Sequence, residues 1–405
     1  MSQVLVVHKY GGSSVGTADK IQNVAKRIVK AKETFQNMVV VVSAMGKTTN
    51  QLVALSRELC SDPSAREMDM LLASGEQVSI SLLAMAIHEL GHKAISYNAA
   101  QIGFRTDMVH NKARIREIGT ERIQKSLEEG SIVIIAGFQG INEHFDITTL
   151  GRGGSDLSAV ALAVVLGAKA CEIYTDVEGV YTADPRIVSN ARKLDNISYE
   201  EMLELASMGA KVMHARSIEF AQKYDIPIHV RSSFLEVEGT WIRKEVKDME
   251  DIVITGIALT KDEAKLTIVG VPDSSGMAAQ IFTALAEGHI NIDVIIQNVS
   301  LQGFTDISFT VPQEDLKGAM KISEQMIAEL GAKELICKKD IAKLSIVGVG
   351  MRRHAGVAAK MFRCLADEKI NIEMITTSEI KISCVIGEAE GEQAVKALHV
   401  VFELE

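Results

Sequence analysis

The stretch that decides the fold lies near the start of the chain: Leu5-Val-Val-His-Lys-Tyr-Gly-Gly-Ser-Ser-Val-Gly16. Its apolar half predicts a buried strand over Leu5–His8, and its glycine-rich half predicts a turn into a helix capped by Thr17 or Asp19. Glycines let backbone N–H groups approach an anion, the helix start adds a positive dipole end, and Lys9 adds a full charge. The stretch therefore predicts a phosphate site, and a plain turn between strand and helix is the alternative.

Strand-like and helix-like segments alternate from this stretch to about Ser233. The predicted strands are Leu5–His8, Met38–Val42, Ile132–Ala136, Ala170–Tyr174 and Ile226–Val230. The predicted helices are Ile21–Lys32, Met68–Glu89, Asp156–Leu166 and Lys211–Lys223. Such alternation indicates a mainly parallel sheet with helices on both faces. Because ligands of such sheets bind beyond the carboxyl ends of the strands, the loops at those ends are the candidate sites.

The rest of the sequence contains an internal repeat. Lys265–Val271 recurs as Lys343–Val349, and Leu285–Asp293 recurs in related form as Leu365–Glu373. Each copy has the pattern of a small β-α-β-β-α-β module. Two copies are too few for a solenoid, which needs about three or more repeats.

A charged stretch, Arg243–Asp251, separates the two parts and predicts a boundary near residues 235–251. The segment Ile252–Leu259 then reads as an extra strand. We expect this strand to complete the sheet of the second repeat, so that the two modules are interleaved rather than joined in series.

The composition excludes several classes of protein. The 405 residues carry a formal net charge of −10, which argues against duplex DNA or an anionic membrane as the main partner. The 5 cysteines form no CxxC pair and no histidines have zinc-ligand spacing, so we expect reduced thiols and no structural metal. We see no signal peptide, and apolar runs are broken before membrane-spanning length, so we expect a cytoplasmic protein.

Glycine-rich loops mark further candidate sites. Gly46-Lys47-Thr48 is not a P-loop, because such a loop needs a glycine where Val41 stands. Thr149–Asp156 combines three glycines and a helix-capping Ser-Asp pair with Arg152, whose guanidinium can hold a carboxylate through two hydrogen bonds. A glycine-rich connector, with Asp156 as a simple carboxylate at the helix N-terminus, is the weaker alternative for that loop.

Two other segments are compatible with a nucleotide. Tyr174–Arg186 is a polar loop with tyrosines that suits a base and ribose, and a surface Ω-loop is the alternative. Lys211 is predicted to open a helix, where carboxylates are usual, which indicates an anionic partner or a solvated lysine.

Four of these segments together resemble the aspartate kinases of the amino-acid kinase superfamily: Lys9–Val15, Val42–Asn50, Leu150–Asp156 and Thr175–Arg186. The repeat resembles two ACT domains. The resemblance implies an α/β/α sandwich with a mainly parallel central sheet and two ferredoxin-like βαββαβ ACT domains. The implied ranges are 1–235 for the catalytic domain, 236–263 for a linker and extra strand, and 264–337 and 338–405 for the ACT domains. No homoserine dehydrogenase domain follows Glu405, so the monofunctional form is expected.

The resemblance also implies roles for individual residues. The catalytic residues are Lys9, Asp156 and Lys211. The ATP-binding residues are Lys9, Gly11, Gly12, Ser13, Thr175, Asp176, Tyr181, Asp184, Arg186 and Lys211. The aspartate-binding residues are Ser43, Thr49, Glu76, Arg152, Gly153, Gly154 and Ser155. The allosteric residues are Asp273, Gly276, Met277, Ala278, Asn291, Asp293, Gln297, Ser300, Asn371, Ile372, Thr377, Ser378 and Glu379.

The implied activity is transfer of the γ-phosphoryl group of ATP, with Mg²⁺ bound through ATP, to the side-chain carboxylate of L-aspartate, as the first step toward lysine, threonine and methionine. Feedback by lysine, threonine or both is expected at the ACT domains, and the sequence leaves the effector open. A homodimer through Ile290–Gln297 and Ile370–Thr377 is expected, and a higher or hetero-oligomer is compatible with the sequence. Another kinase of the superfamily and a non-catalytic ACT sensor are the alternatives.

Overall fold

A computed structural model describes residues 4–209, 212–244, 253–298 and 303–405. Their contacts divide the chain into two compact units. The first comprises the described residues within Met1–Tyr181, Lys193–Ser207 and Lys211–Lys247. The second comprises those within Thr182–Arg192, Met208–Ala210 and Asp248–Glu405.

The first unit is built on a mainly parallel sheet. Its strands are β1 (Leu5–Tyr10), β2 (Asn37–Val42), β3 (Ala94–Tyr97), β4 (Phe104–Thr106), β5 (Ile115–Ile118), β6 (Ile132–Ala136), β7 (Gln139–Ile141), β8 (Ile147–Thr149), β9 (Cys171–Thr175), β10 (Asn196–Ile197), β11 (Ile228–Ser232) and β12 (Thr240–Ile242). Eight of them form the order β10-β12-β11-β9-β1-β2-β6-β3, in which only the β11–β12 pair is antiparallel. A second sheet has the order β5-β4-β7-β8. The predicted mainly parallel sheet is confirmed.

The helices of this unit are α1 (Ala18–Lys32), α2 (Thr48–Leu59), α3 (Ala65–Glu89), α4 (Glu121–Glu128), α5 (Gly154–Val165), α6 (Tyr199–Ser207) and α7 (Ala215–Tyr224). The start of α1 is capped as predicted, because Thr17 Oγ1 accepts a hydrogen bond from the Lys20 amide. Lys211, the predicted start of the last helix, lies outside the described residues. Helix α7 begins later than predicted, at Ala215, where the His214 side chain accepts a hydrogen bond from the Arg216 amide.

The core explains why these segments form a sheet covered by helices. The centres of β2 and β6 are continuous apolar runs that are buried on both faces, and in β1 the apolar residues Val6 and Val7 are buried beside them. Helix α1 packs against them through Ile21, Val24, Ala25 and Ile28, which recur every three or four residues. Each fully buried valine or isoleucine contributes roughly 1.5–3 kcal/mol relative to an exposed one.

Helix α3 differs from the expectation that apolar runs are broken before membrane-spanning length. By length and composition its 25 residues are apolar enough to cross a membrane, and the mean hydropathy over an 18-residue window of the helix is 1.5. Half of that window is buried inside the protein, and the buried face includes Asp69, Glu76 and Ser79. Buried ionisable groups with protein partners are the features of a core helix, and they make α3 part of the first unit.

The second unit contains one antiparallel sheet of interleaved repeats. Its elements are β13 (Gly256–Pro272), α8 (Met277–Glu287), β14 (Ile295–Gln297), β15 (Phe304–Pro312), α9 (Leu316–Leu330), β16 (Glu334–Val347), α10 (Val357–Asp367), β17 (Met374–Thr377), β18 (Lys381–Gly387) and α11 (Gly391–Val401). The strand order is β14-β15-β13-β16-β18-β17.

The long strands β13 and β16 show how the repeats interleave. The start of β13, Gly256–Thr260, pairs with Lys343–Val347, which belong to the second repeat. The later part of β13 pairs instead with the start of β16, where Lys265 faces Lys338. The expected extra strand is therefore the start of β13, and it joins the second repeat's sheet as predicted.

A short segment far from the repeats in sequence also packs in this unit. Thr182 is fully buried, its Oγ1 lies 2.9 Å from His399 Nε2, and it donates a hydrogen bond to the Leu404 carbonyl oxygen at 3.1 Å. Ala183 and Val188 lie in the same apolar core as the second repeat. Residues 182–192 thus group with the second unit, although the predicted catalytic domain, 1–235, includes them. The predicted domain ranges stay predictions.

Candidate active site

A buried ion pair lies where β1 ends. Lys9 Nζ is 2.6 Å from Asp156 Oδ1, and both residues are less than a tenth exposed. Lys9 is one residue from the end of β1, and Asp156 lies in the first turn of α5. The predicted Ser-Asp cap is wrong, because α5 begins at Gly154 after Gly153 and Asp156 turns toward Lys9. A buried carboxylate in this position fixes the lysine and keeps its charge compensated.

The glycine turn after β1 packs against the loop after β2. The Gly46 amide donates to the Gly12 carbonyl oxygen at 2.9 Å, and the Gly11 amide donates to the Tyr174 carbonyl oxygen at 3.3 Å. A Cβ on Gly12 would lie 2.7 Å from the Ala44 carbonyl oxygen, so only glycine fits there. The close packing brings backbone N–H groups of the turn, Lys9 and the loop after β2 together, as an anion site requires.

Glu76 reaches the same loop from α3. Glu76 is 3% exposed, and its Oε1 accepts a hydrogen bond from the Ala44 amide at 3.0 Å. Among the described residues its Oε2 has no hydrogen-bond partner. Burial raises the pKa of Glu76 from 4.5 to about 7, and the hydrogen bond from Ala44 opposes this only in part. A buried carboxylate oxygen without a partner is suited to an ammonium group.

The other residues predicted to bind aspartate lie directly after β2, at the start of α2, and in the loop and first turn that begin α5. Ser43 directly follows β2, and its amide donates to the Tyr10 carbonyl oxygen at 3.1 Å. Thr49 lies in the first turn of α2, a helix that the sequence did not predict. Arg152 is exposed in the loop between β8 and α5. Gly153, Gly154 and Ser155 follow it at the start of α5.

Of the residues predicted to bind the nucleotide, Thr175, Asp176 and Tyr181 lie in the first unit. Thr175 ends β9, and its hydroxyl donates to Asp176 Oδ1 at 3.2 Å. Tyr181 closes the part of this loop in the first unit, and burial raises the pKa of its phenol. Asp184 and Arg186 form an ion pair with Nη2 2.6 Å from Oδ2, and they belong to the second unit. Lys211 lies outside the described residues.

Sequence analysis missed one polar cluster close to this site. Asp69 of α3 is fully buried and accepts hydrogen bonds from Thr149 Oγ1 at 2.5 Å and from the Asn111 amide. Its Oδ2 is also 2.7 Å from His110 Nδ1. The only sequence signal was an aspartate two turns before Glu76 in a largely apolar helix, which by itself predicts no partner.

The predicted allosteric residues lie in the second unit. In the first repeat, Gly276 caps α8, with Met277 and Ala278 in its first turn and Asp273 before it. Asn291 and Asp293 precede β14, and Gln297 ends it. In the second repeat the predicted residues are Asn371, Ile372, Thr377, Ser378 and Glu379, which lie before, within and after β17. Ser300 lies outside the described residues.

Ion pairs link the two repeats in a reciprocal pattern. Buried Lys343 of the second repeat contacts Asp293 of the first and is 2.7 Å from Glu263 Oε1. Lys265, the counterpart of Lys343 in the first repeat, is 3.4 Å from Glu373 of the second. Asp293 therefore already has a cationic partner in this structure, which the sequence did not indicate.

Comparisons with known proteins agree with this architecture. The amino acid kinase family matches residues 4–232, and the ACT domain matches residues 266–325 and 344–402. The aspartate kinase of Stutzerimonas stutzeri is 50% identical over 402 residues, covering 99% of this chain and 98% of that protein. The aspartokinase of Bacillus sp. strain MGA3 is 51% identical over 400 residues, covering 99% of this chain and 97% of that protein.

Among solved structures, E. coli aspartokinase III in complex with aspartate and ADP superposes with a TM-score of 0.83. It is 26% identical to this chain, and the match covers 98% of this chain and 99% of that one. The similarity to aspartokinases extends over the full length of the chain, and the parallel sheet, the Lys9–Asp156 pair and the ACT repeat agree with it. The chain therefore belongs to the amino acid kinase family and, within that family, to the aspartate kinases.

Proposed function

We propose that the chain transfers the γ-phosphoryl group of Mg-ATP to the side-chain carboxylate of L-aspartate, giving 4-phospho-L-aspartate at the start of lysine, threonine and methionine synthesis. One observation carries the proposal: the glycine turn and Glu76 meet at Ala44. The carbonyl of Ala44 faces Gly12, and its amide binds Glu76. A phosphate-binding turn thus lies next to a carboxylate that can receive an amino group.

The reaction needs no strong base, since the acceptor carboxylate is ionised at neutral pH. A carboxylate oxygen forms a bond to the γ-phosphorus while the bond from that phosphorus to the bridging oxygen of ADP breaks. The obstacle is repulsion between two anions. Lys9 and the N–H groups of the glycine turn would compensate the charge on the phosphoryl group, and Asp156 would keep Lys9 in place.

Mg²⁺ would reach this site bound to the nucleotide. Asp156, the carboxylate beside Lys9, already forms an ion pair with that lysine at 2.6 Å. Mg²⁺ is usually coordinated by substrate phosphates and water rather than by protein ligands alone. We therefore assign the ion to the ATP phosphates, where it would neutralise part of their charge. Lys9, Gly11, Gly12 and Ser13 would contact those phosphates directly.

The amino-acid substrate would be held at both ends. Glu76 Oε2 would accept hydrogen bonds from the ammonium group of aspartate, while Arg152 would bind its α-carboxylate. Ser43, Thr49 and the turn Gly153–Ser155 would surround the rest of the molecule. Fixing both reactants converts a disfavoured encounter into a nearly unimolecular step. Thr175, Asp176, Tyr181, Asp184, Arg186 and Lys211 are proposed for the nucleotide.

The experiment that tests this function is a hydroxylamine trap for the acyl phosphate with a panel of acceptors. We expect hydroxamate with aspartate and little with glutamate, N-acetylglutamate or a nucleoside monophosphate. The matched control is Lys9→Ala, which should lose the signal. Preferred phosphorylation of another acceptor would identify a sister kinase, and no turnover with any acceptor would indicate an amino-acid sensor.

We further propose feedback by lysine, threonine or both at the ACT repeats. Support comes from E. coli aspartokinase III, of which a second structure contains lysine and aspartate; it is 27% identical and superposes with a TM-score of 0.76. In this chain the residues around α8 and β17 offer helix N-terminal amides and carboxylates for an amino acid. Activity that is unchanged across millimolar lysine, threonine and their mixture would exclude this regulation.

We also propose a cytoplasmic homodimer joined through the ACT repeats. Strands β14 and β17 are the two edges of the six-stranded sheet, and each exposes an isoleucine: Ile295 is 52% exposed and Ile375 is 43% exposed. Edge strands with exposed apolar side chains are normally paired or covered. Sedimentation that shows a monomer at micromolar concentration with feedback intact would contradict this arrangement.

A further inference from the structure

Helix α3 carries two buried carboxylates on one face. Asp69 and Glu76 are separated by seven residues, or two turns, and their exposed fractions are 0% and 3%. Glu76 has a role in the function proposed above. Asp69 has none so far, and a fully buried carboxylate is costly unless its hydrogen bonds do something for the fold or the site.

The hydrogen bonds of Asp69 reach two separate segments. Thr149 Oγ1 donates to Oδ1 at 2.5 Å, and the Asn111 amide donates to Oδ2 at 3.1 Å. His110 Nδ1 lies 2.7 Å from Oδ2. Hydrogen bonds to an ionised carboxylate are about twice as strong as neutral ones, so Asp69 holds both segments firmly.

Both segments support the loop that carries Arg152. Thr149 ends β8 and is followed at once by Leu150 and Gly151. The Thr149 carbonyl oxygen accepts a hydrogen bond from the Ala113 amide at 2.9 Å. Gly151 has φ +80°, and a Cβ there would lie 3.0 Å from the Asn111 carbonyl oxygen. The segment that contains Asn111 and Ala113, which Asp69 binds through the Asn111 amide, therefore packs against the turn before Arg152.

A partly buried guanidinium, that of Arg216 in α7, holds the same two segments. Arg216 Nη1 donates to the Leu150 carbonyl oxygen at 3.0 Å, and Nη2 donates to the Ala113 carbonyl oxygen at 2.8 Å. Among the described residues, the hydrogen bonds of the Arg216 guanidinium go to backbone oxygens, whereas Asp69 binds the side chain of Thr149, directly before the loop. A substitution at Asp69 can therefore shift the loop while every residue of the loop stays unchanged.

We propose that Asp69 is a positioning residue for aspartate binding: through Thr149 and Asn111 it sets the turn that presents Arg152 to the substrate. The inference rests on the proposed assignment of that loop to aspartate. It predicts that a change at Asp69 weakens aspartate while leaving ATP nearly unaffected, because the glycine turn after β1 makes no contact with Asp69 among the hydrogen bonds described.

The test compares Asp69→Asn with Glu67→Gln, a matched control in which an exposed carboxylate on the same helix becomes an amide. We expect the KM for aspartate to rise about tenfold or more in Asp69→Asn and the KM for ATP to stay within about twofold. Glu67→Gln should behave as the wild type. Equal increases in both KM values, or no change in either, would overturn the proposal.

A second pair of variants decides the matter if Asp69→Asn does not fold. Thr149→Val removes the hydroxyl that binds Asp69, whereas Thr149→Ser keeps it. The valine variant should repeat the selective loss of aspartate binding, and the serine variant should restore it. If the two variants bind aspartate equally, Asp69 does not act through Thr149 and the inference fails. Wild-type protein that phosphorylates aspartate in the same assays keeps the proposed function separate from this outcome.

Discussion

Replacing Glu76 with glutamine should stabilise the first unit at alkaline pH while it damages aspartate binding. Burial raises the pKa of Glu76 from 4.5 to about 7. Each pKa unit corresponds to about 1.4 kcal/mol, so ionising Glu76 in the folded protein costs on the order of 3 kcal/mol more than in the unfolded chain. The residue is 3% exposed, so solvent screening reduces this little. Glutamine keeps the acceptor for the Ala44 amide and carries no charge.

The sign follows from the proton count. Between pH 4.5 and about 7 the folded protein keeps the Glu76 proton that the unfolded chain has already lost. Stability contributed by this group is therefore complete below about pH 4.5 and is lost as pH rises through about 7. The glutamine variant lacks this loss, so its advantage over the wild type should grow across that window to on the order of 3 kcal/mol.

Trp241 is the single tryptophan of the chain and lies in the first unit, so its fluorescence reports the unfolding of that unit. Denaturant unfolding followed by its fluorescence at about pH 5 and about pH 8 gives the free energies of unfolding. The same variant should lose much of its affinity for aspartate, and its KM for aspartate should no longer rise as pH falls below about 7. Equal pH dependence of stability in wild type and Glu76→Gln would refute the buried, proton-holding Glu76.

The other predictions concern the ion pair, the loop and the effector site. Lys9→Ala should lower kcat on the order of a hundredfold or more with the fold retained by circular dichroism, and a well-folded, fully active variant would contradict the assignment. Arg152→Ala should raise the KM for aspartate far more than that for ATP, as steady-state kinetics with each substrate varied will show. Asp156→Asn leaves Lys9 buried without its counter-charge, so thermal unfolding should reveal a loss on the order of 3 kcal/mol along with reduced kcat. Ser378→Ala should relieve inhibition by the effector with kcat unchanged, and a variant as strongly inhibited as the wild type would argue against this site.

Local pattern was enough to predict the sheet and most of its strands. The runs Met38–Val42 and Ile132–Ala136 are apolar throughout, which is typical of strands buried on both faces, and both strands form. The repeat was also predictable, since its copies match in sequence. Helix α2 was missed, because its segment follows a glycine-lysine turn and carries no clear apolar stripe. The start of α7 was misplaced because the side chain of His214, a less usual cap, sets it.

The contacts of charged residues could not be predicted in the same way. Lys9 and Asp156 are 147 positions apart, and only the fold brings their side chains to 2.6 Å. The same is true of Asp69 and Thr149, which are 80 positions apart. The raised pKa of Glu76 depends on burial by residues from several elements, which no local pattern reveals. Sequence therefore indicated which residue types matter, and the fold determined which of them meet.

Direct detection of the transferred bond tests the central claim most closely. The chain would be mixed with Mg-ATP and aspartate whose side-chain carboxylate is isotopically labelled in oxygen, and the phosphorylated product would be examined by phosphorus NMR and mass spectrometry. The account predicts an acyl phosphate in which the labelled oxygen bridges the aspartate carbon and phosphorus, and no such product with Lys9→Ala. An unlabelled bridge, or phosphate on any other group of aspartate, would contradict it.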